Sequence, residues 1–217
     1  MKVTTLACIQ GAWLPAFSPA TILDIGAGTG LLSLMATQKY SGDIDAVEIE
    51  ATAYSQLRNN VSQCPWQNRI NCYNDNIKNF ANCNSNKYDF IITNPPFFNN
   101  QLKSPNIKKN LARHDCGITL EGLVTLFDIL LNKTGKISIM LPPFETTRLV
   151  EICGQNSLFI SDQLVISDTP GVLPSVIISI LDRKASLATI QYLDIKKESG
   201  AYSQDFVNLL KDYYLYL

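Results

Sequence analysis

The chain has 217 residues, of which 46% are hydrophobic and 17% charged, a composition that builds a packed core and excludes a disordered chain. Its net charge is −1, so bulk charge points to no polyanionic partner and any nucleic-acid site has to be a local patch. No apolar run approaches the roughly 20 residues of a membrane span, and the amino end lacks the charged-then-apolar order of a secretion signal; one cytoplasmic domain over residues 1–217 is expected. Six cysteines without close pairing and a single histidine offer neither zinc-ligand spacing nor a disulfide framework, so reduced thiols and no metal are expected.

In chain order, strands are expected at Thr21–Ile25, Asp45–Ile49, Arg69–Tyr73, Tyr88–Thr93, Lys136–Leu141, Gln163–Ser167 and Val176–Leu181, where short apolar or β-branched runs end at turn residues. Helical spacing falls between them at Leu31–Lys39, Ala51–Ser62, Leu120–Leu131 and Thr146–Asn156. Strand and helix in alternation predict a mainly parallel sheet with helices on both faces. Near the end, two apolar runs separated only by a segment with Pro170, Gly171 and Pro174 predict an antiparallel pair closing the sheet. A polar strand at Thr189–Ile195 and a tail helix from Gln204 to about Tyr214 complete the expected elements.

The first strand runs into Asp24-Ile25-Gly26-Ala27-Gly28-Thr29-Gly30, a turn whose glycines allow tight backbone and close approach of a nucleotide-type cofactor. A dinucleotide fingerprint needs its third glycine one residue later, where Leu31 stands, so NAD is disfavoured. With Asp24 ahead of it, the turn resembles the first motif of class I methyltransferases, which implies S-adenosylmethionine and a Rossmann-like fold. Glu48 closes the second strand beside the turn and is the candidate for both ribose hydroxyls, while Glu50 reads as a solvated acid opening a helix. After the third strand, Asn74-Asp75-Asn76-Ile77 faces the adenine position, with either Asp75 or Asn76 as the contact. The cofactor-binding candidates are therefore Asp24, Gly26, Gly28, Gly30, Glu48, Asp75, Asn76 and Ile77.

The fourth strand ends in Asn94-Pro95-Pro96-Phe97. Prolines fix φ and donate no hydrogen bond, so carbonyls are left free beside the Asn94 side-chain acceptor. Two acceptors grip the two protons of an exocyclic amine, draw its lone pair out of conjugation and align it for methyl transfer. Phe97 offers a stacking face for a base swung out of its helix, worth about 1–3 kcal/mol. Asn94, Pro95, Pro96 and Phe97 are the catalytic candidates. Between Asn99 and His114 stand Lys103, Lys108, Lys109 and Arg113 with no acid, a patch suited to RNA phosphates.

With these features, the chain resembles the bacterial tRNA(Val) adenine-N6 methyltransferases nearly end to end. The segments that carry the resemblance are Met1–Thr5 with Gly11-Ala12-Trp13, Cys64-Pro65-Trp66 leading to Arg69-Ile70, Asn94–Phe98, Ala112-Arg113-His114-Asp115, and Leu210–Leu215. The resemblance implies a seven-stranded class I methyltransferase sheet, tRNA as partner, the adenosine 3′ of the anticodon as target, and Asn76 at the family's adenine-side acid. The chain departs from that pattern at Leu6-Ala7, where the family has Asp-Gly. It is also expected to start later than its relatives. Rival readings with the same tetrapeptide are a methyltransferase acting on guanine N2 of ribosomal RNA or on a protein glutamine; a third is an RNA binder that has lost activity.

Overall fold

The structure is a computed structural model and describes residues 3–96 and 118–216. Phe97, Lys103, Lys108, Lys109 and Arg113, named above as site residues, lie outside the described residues, as do Phe98, His114 and Cys116.

The chain opens with helix α1 (Thr5–Ala12), followed by β1 (Thr21–Ile25), α2 (Leu31–Lys39), β2 (Asp43–Glu48), α3 (Ala51–Ser62), β3 (Ile70–Asn74), α4 (Ile77–Cys83) and β4 (Tyr88–Thr93). It continues with α5 (Leu120–Leu130), β5 (Leu131–Leu141), α6 (Pro143–Gln155), β6 (Phe159–Ser167), β7 (Val176–Asp182), β8 (Thr189–Asp194) and α7 (Gln204–Leu210). The strands form one sheet in the order β3-β2-β1-β4-β5-β7-β6-β8. Strands β1 to β5 are mutually parallel where they pair, and β7 runs antiparallel to both β5 and β6.

The expected antiparallel pair is therefore present as β6 and β7, but it does not close the sheet. The polar strand β8 adds outside β6 in parallel, so the sheet has eight strands among the described residues where seven were expected. The strand itself was expected, but its exposed residues carried no sign of its place in the sheet, since an edge strand buries little on either face.

Two helices escaped the sequence reading. Helix α1 is started by Thr4, whose side chain accepts from the Ala7 amide, and α4 by Asn76, which accepts from Lys78. Both are short, and short helices form through tertiary packing more than through propensity. Helix α6 starts three residues ahead of the expected Thr146, at Pro143, because proline fits the first helical position where its missing N–H is not needed. Strand β5 starts five residues before the expected Lys136, with an irregular register against β4.

Alternating strand residues divide the core. Ile22, Phe90 and Ile92 pack with Leu32, Ala36, Leu57 and Val61 of α2 and α3, while Leu23, Ile91 and Ile137 pack with α5. A third cluster joins Cys8 and Ile9 of α1 to Leu164, Ile178, Phe206 and Leu210, so the tail helix packs against α1. Leu6, where the family pattern has an acid, packs against this cluster. Gly11 allows α1 to meet α2: a Cβ there would lie 2.4 Å from Met35 Sδ.

Candidate active site

All parallel strands present their carboxyl ends to one edge, the usual place for a ligand in an open α/β sheet. There the glycine turn leaves β1. Gly26, Gly28 and Gly30 have φ of 71°, 58° and 90°, left-handed values that side chains with a Cβ rarely adopt. The amides of Gly26 and Ala27 donate to the Val47 carbonyl at 2.9 and 3.1 Å, which ties the turn to β2. No atom lies within 4 Å of where a Gly26 Cβ would stand, so a ligand can approach this backbone.

Glu48 lies beside the turn, 8% exposed. Its Oε2 accepts from the Gly28 amide at 2.7 Å and its Oε1 from the Glu50 amide at 2.8 Å. Each oxygen keeps a second lone pair, so the carboxylate shapes the turn and can still accept from a ribose hydroxyl. Glu50 caps α3, accepting from Thr52 and Ala53, and those amides hold its carboxyl below the usual range.

Asp24 is fully buried. Its Oδ2 accepts from Ser33 N at 3.1 Å and Ser33 Oγ at 2.6 Å, while Oδ1 has no partner among the described residues. Burial pushes its carboxyl up to about 7, against the Ser33 donors and with a further upward push from Glu48. A buried acceptor lacking a donor, next to an open cradle of left-handed glycines, fits a ligand that brings its own ammonium donor. The residues present therefore fit S-adenosylmethionine, whose amino-acid end carries that group.

Beyond β3, Asp75 Oδ1 accepts from the Asn76 amide at 2.7 Å, and Asn76 Oδ1 caps α4 through Lys78 N at 2.9 Å. Asn76 thus commits its side-chain oxygen to the helix it starts. Ile77 is the first residue of α4 and packs against the core. Asn74 donates to the carbonyls of Glu48 and Ile49, which holds this segment beside Glu48.

Strand register places the catalytic candidates. Ile25 and Thr93 are paired across β1 and β4, about 5 Å apart by sheet spacing, and Gly26 and Asn94 are the first residues beyond these two strand ends. Thr93 Oγ1 donates to the Ile25 carbonyl at 2.9 Å, locking the two strand ends. Asn94 is half-buried, Pro95 buried and Pro96 exposed. One residue here was not singled out from sequence: Gln10 of α1 donates through Nε2 to the Thr93 carbonyl at 3.0 Å and to Ser138 Oγ at 3.3 Å. Its only sequence signal is a glutamine directly after the apolar run Leu6–Ile9.

Among the described residues no group of acidic, histidine and cysteine side chains is placed to hold a metal. No helix among them is long and apolar enough to cross a membrane.

Residues 12–151 match the family model for the methyltransferase small domain. The chain is 33% identical over 225 residues to the tRNA1(Val) (adenine(37)-N6)-methyltransferase of Bacteroides fragilis, covering 99% of this chain and 91% of that one. It is also 33% identical to the protein of the same name from Yersinia enterocolitica, covering 99% and 86%. Among solved structures, an Agrobacterium tumefaciens protein described as a predicted O-methyltransferase superposes with a TM-score of 0.71 at 18% identity over 97% of each chain. The ribosomal protein L11 methylase of Lactobacillus delbrueckii gives 0.58 at 18% identity, covering 84% of this chain and 79% of its own. At those identities the two structures speak for the fold alone.

Proposed function

The chain belongs to the methyltransferase small domain family, and from that premise we propose that it transfers a methyl group from S-adenosylmethionine to the N6 of an adenine in tRNA, at the adenosine 3′ of the anticodon of tRNA(Val). The observation that supports this reading is the Ile25 to Thr93 register: the residues we assign to gripping the amine, Asn94 and Pro95, leave the strand next to the one that runs into the glycine turn. The nearly full-length likeness to adenine-N6 relatives supports adenine over guanine N2 or a protein glutamine.

S-adenosylmethionine, when bound, would supply an electrophilic methyl group on sulfur, its methyl–sulfur bond breaking to leave a neutral thioether as the methyl passes to nitrogen. The turn at Gly26, Gly28 and Gly30 and the buried Asp24 hold its amino-acid end, Glu48 accepts from the ribose, and Asp75, Asn76 and Ile77 border its adenine. Asn94 Oδ1 and the Pro95 carbonyl accept the two N–H protons of the target amine. That grip turns the lone pair away from the ring and offsets the positive charge that grows on nitrogen. As the new N–C bond forms, the nitrogen becomes acidic and releases one proton to water, so no titratable base is required. Phe97 stacks on the flipped base, and Lys103, Lys108, Lys109 and Arg113 dock the RNA phosphates.

The test is incubation of the purified protein with tRNA lacking its own methylation and radiolabelled S-adenosylmethionine, followed by digestion and identification of the labelled nucleoside. Label in N6-methyladenosine is expected; label in methylguanosine, or in protein, overturns the reading. Asn94→Ala should abolish transfer and leave cofactor binding nearly intact, and an undiminished rate would remove the amine grip from the mechanism.

A further inference from the structure

Gln10 is wholly buried in α1 and is not among the proposed cofactor- or substrate-binding residues. Its amide nitrogen has two hydrogens and both are used, one on the Thr93 carbonyl and one on Ser138 Oγ. Its Oε1 is buried with no partner among the described residues. A buried amide oxygen without a donor is costly, and leucine or methionine would fill similar space without that cost. What the glutamine contributes that they cannot is the pair of donated bonds.

The Thr93 carbonyl belongs to the same planar peptide group as the Asn94 amide. Holding that carbonyl holds the plane from which Asn94 departs. The Thr93 side chain already anchors the same residue to Ile25, one residue before the glycine turn. Ser138, the second acceptor, pairs with Ile92 across β4 and β5, so Gln10 bridges two strands at the catalytic edge. We propose that Gln10 is a positioning residue for the methyl transfer: it fixes the Thr93–Asn94 peptide plane and, through it, the direction in which Asn94 presents its acceptor to the target amine. This inference rests on the assignment of Asn94 as the amine-gripping residue.

Helix α1 is itself held in place from the far end of the chain. Cys8 and Ile9 pack with Phe206 and Leu210, and Tyr214 packs against the same cluster, its ring edge-on to Phe206. The tail therefore supports the helix that carries Gln10.

The experiment compares wild type, Gln10→Leu, Gln10→Met and Asn94→Ala, measuring single-turnover methylation of unmodified tRNA, KM for tRNA, cofactor affinity and thermal unfolding. The two Gln10 variants should lose roughly ten- to hundredfold in the single-turnover rate, the scale of a small misplacement of a reacting group. KM for tRNA, cofactor affinity and unfolding temperature should stay at wild-type values. Wild-type rates in both Gln10 variants with an inactive Asn94→Ala overturn this inference alone. A wild-type rate in Asn94→Ala overturns the reading beneath it. A rate loss matched by lost cofactor affinity or lost stability in both Gln10 variants makes Gln10 a general structural residue and also overturns the inference.

Discussion

Asp24 and Glu48 are neighbouring buried acids with different environments. Glu48 receives a backbone amide on each oxygen, whereas Asp24 has one oxygen with no partner among the described residues and a carboxyl pushed up to about 7. Because that value lies above the ordinary carboxylate value of 3.8, the folded chain keeps the Asp24 proton longer than the unfolded chain does. Asp24 therefore contributes no penalty below about pH 4, destabilises the fold increasingly as pH rises towards about 7, and levels off above it at a cost on the order of 4 kcal/mol. Denaturant midpoints of the cofactor-free protein, compared between wild type and Asp24→Asn across this window, should show a fall in wild type that the variant lacks. For Glu48, replacement by alanine should weaken cofactor binding by about 1.5–3 kcal/mol, as for hydrogen bonds to a charged group; titration calorimetry showing unchanged affinity would move the ribose contact elsewhere. Both acids were legible from sequence because their spacing from the glycine turn is local. The choice between Asp75 and Asn76 was not, since the cap that Asn76 makes belongs to a helix too short to read.

At the scale of elements, two of the segments that carried the family resemblance, Gly11–Trp13 and Cys64–Ile70, are joints. Arg69, at the end of the Cys64-Pro65-Trp66 stretch, donates to the carbonyls of Thr37, Tyr40 and Gly42, closing the carboxyl end of α2. Gly42 is pressed against backbone, with a Cβ there falling 2.3 Å from the Pro19 carbonyl oxygen. Arg69→Ala leaves α2 carbonyls without donors and should lower stability by roughly 1–3 kcal/mol. Urea unfolding should register this as a lower midpoint with an unchanged slope; an unchanged midpoint would show that water replaces the guanidinium without cost. Gly11 likewise marks the crossing of α1 and α2, and Trp13 Nε1 donates to Gln191 on β8. Such contacts span distant parts of the chain, so the sequence motifs were visible while their structural reasons were not.

For the whole molecule, the balance of charge leaves RNA binding to local features. Exchanging Lys108 and Lys109 together for alanine should weaken tRNA binding and make its dependence on salt shallower, because fewer counterions are released; the same salt slope in the variant would place phosphate docking elsewhere. The apolar runs of β1 and β4 and the glycines between β1 and α2 were enough to read a mainly parallel sheet with a tight turn after its first strand, since buried strands and tight turns constrain residue type locally. The sequence by itself also determined the Asp24, Glu48 and Asn94 candidates, whose meaning comes from their place at strand ends. Only the tertiary structure decided that β8 extends the sheet beyond β6, that α1 and the tail pack together, and that Gln10 reaches the Thr93 carbonyl. The reason is that an edge strand, a short helix and a single buried amide leave almost no periodic trace, and their stability and direction come from partners elsewhere in the chain, 83 residues away in the case of Gln10 and Thr93.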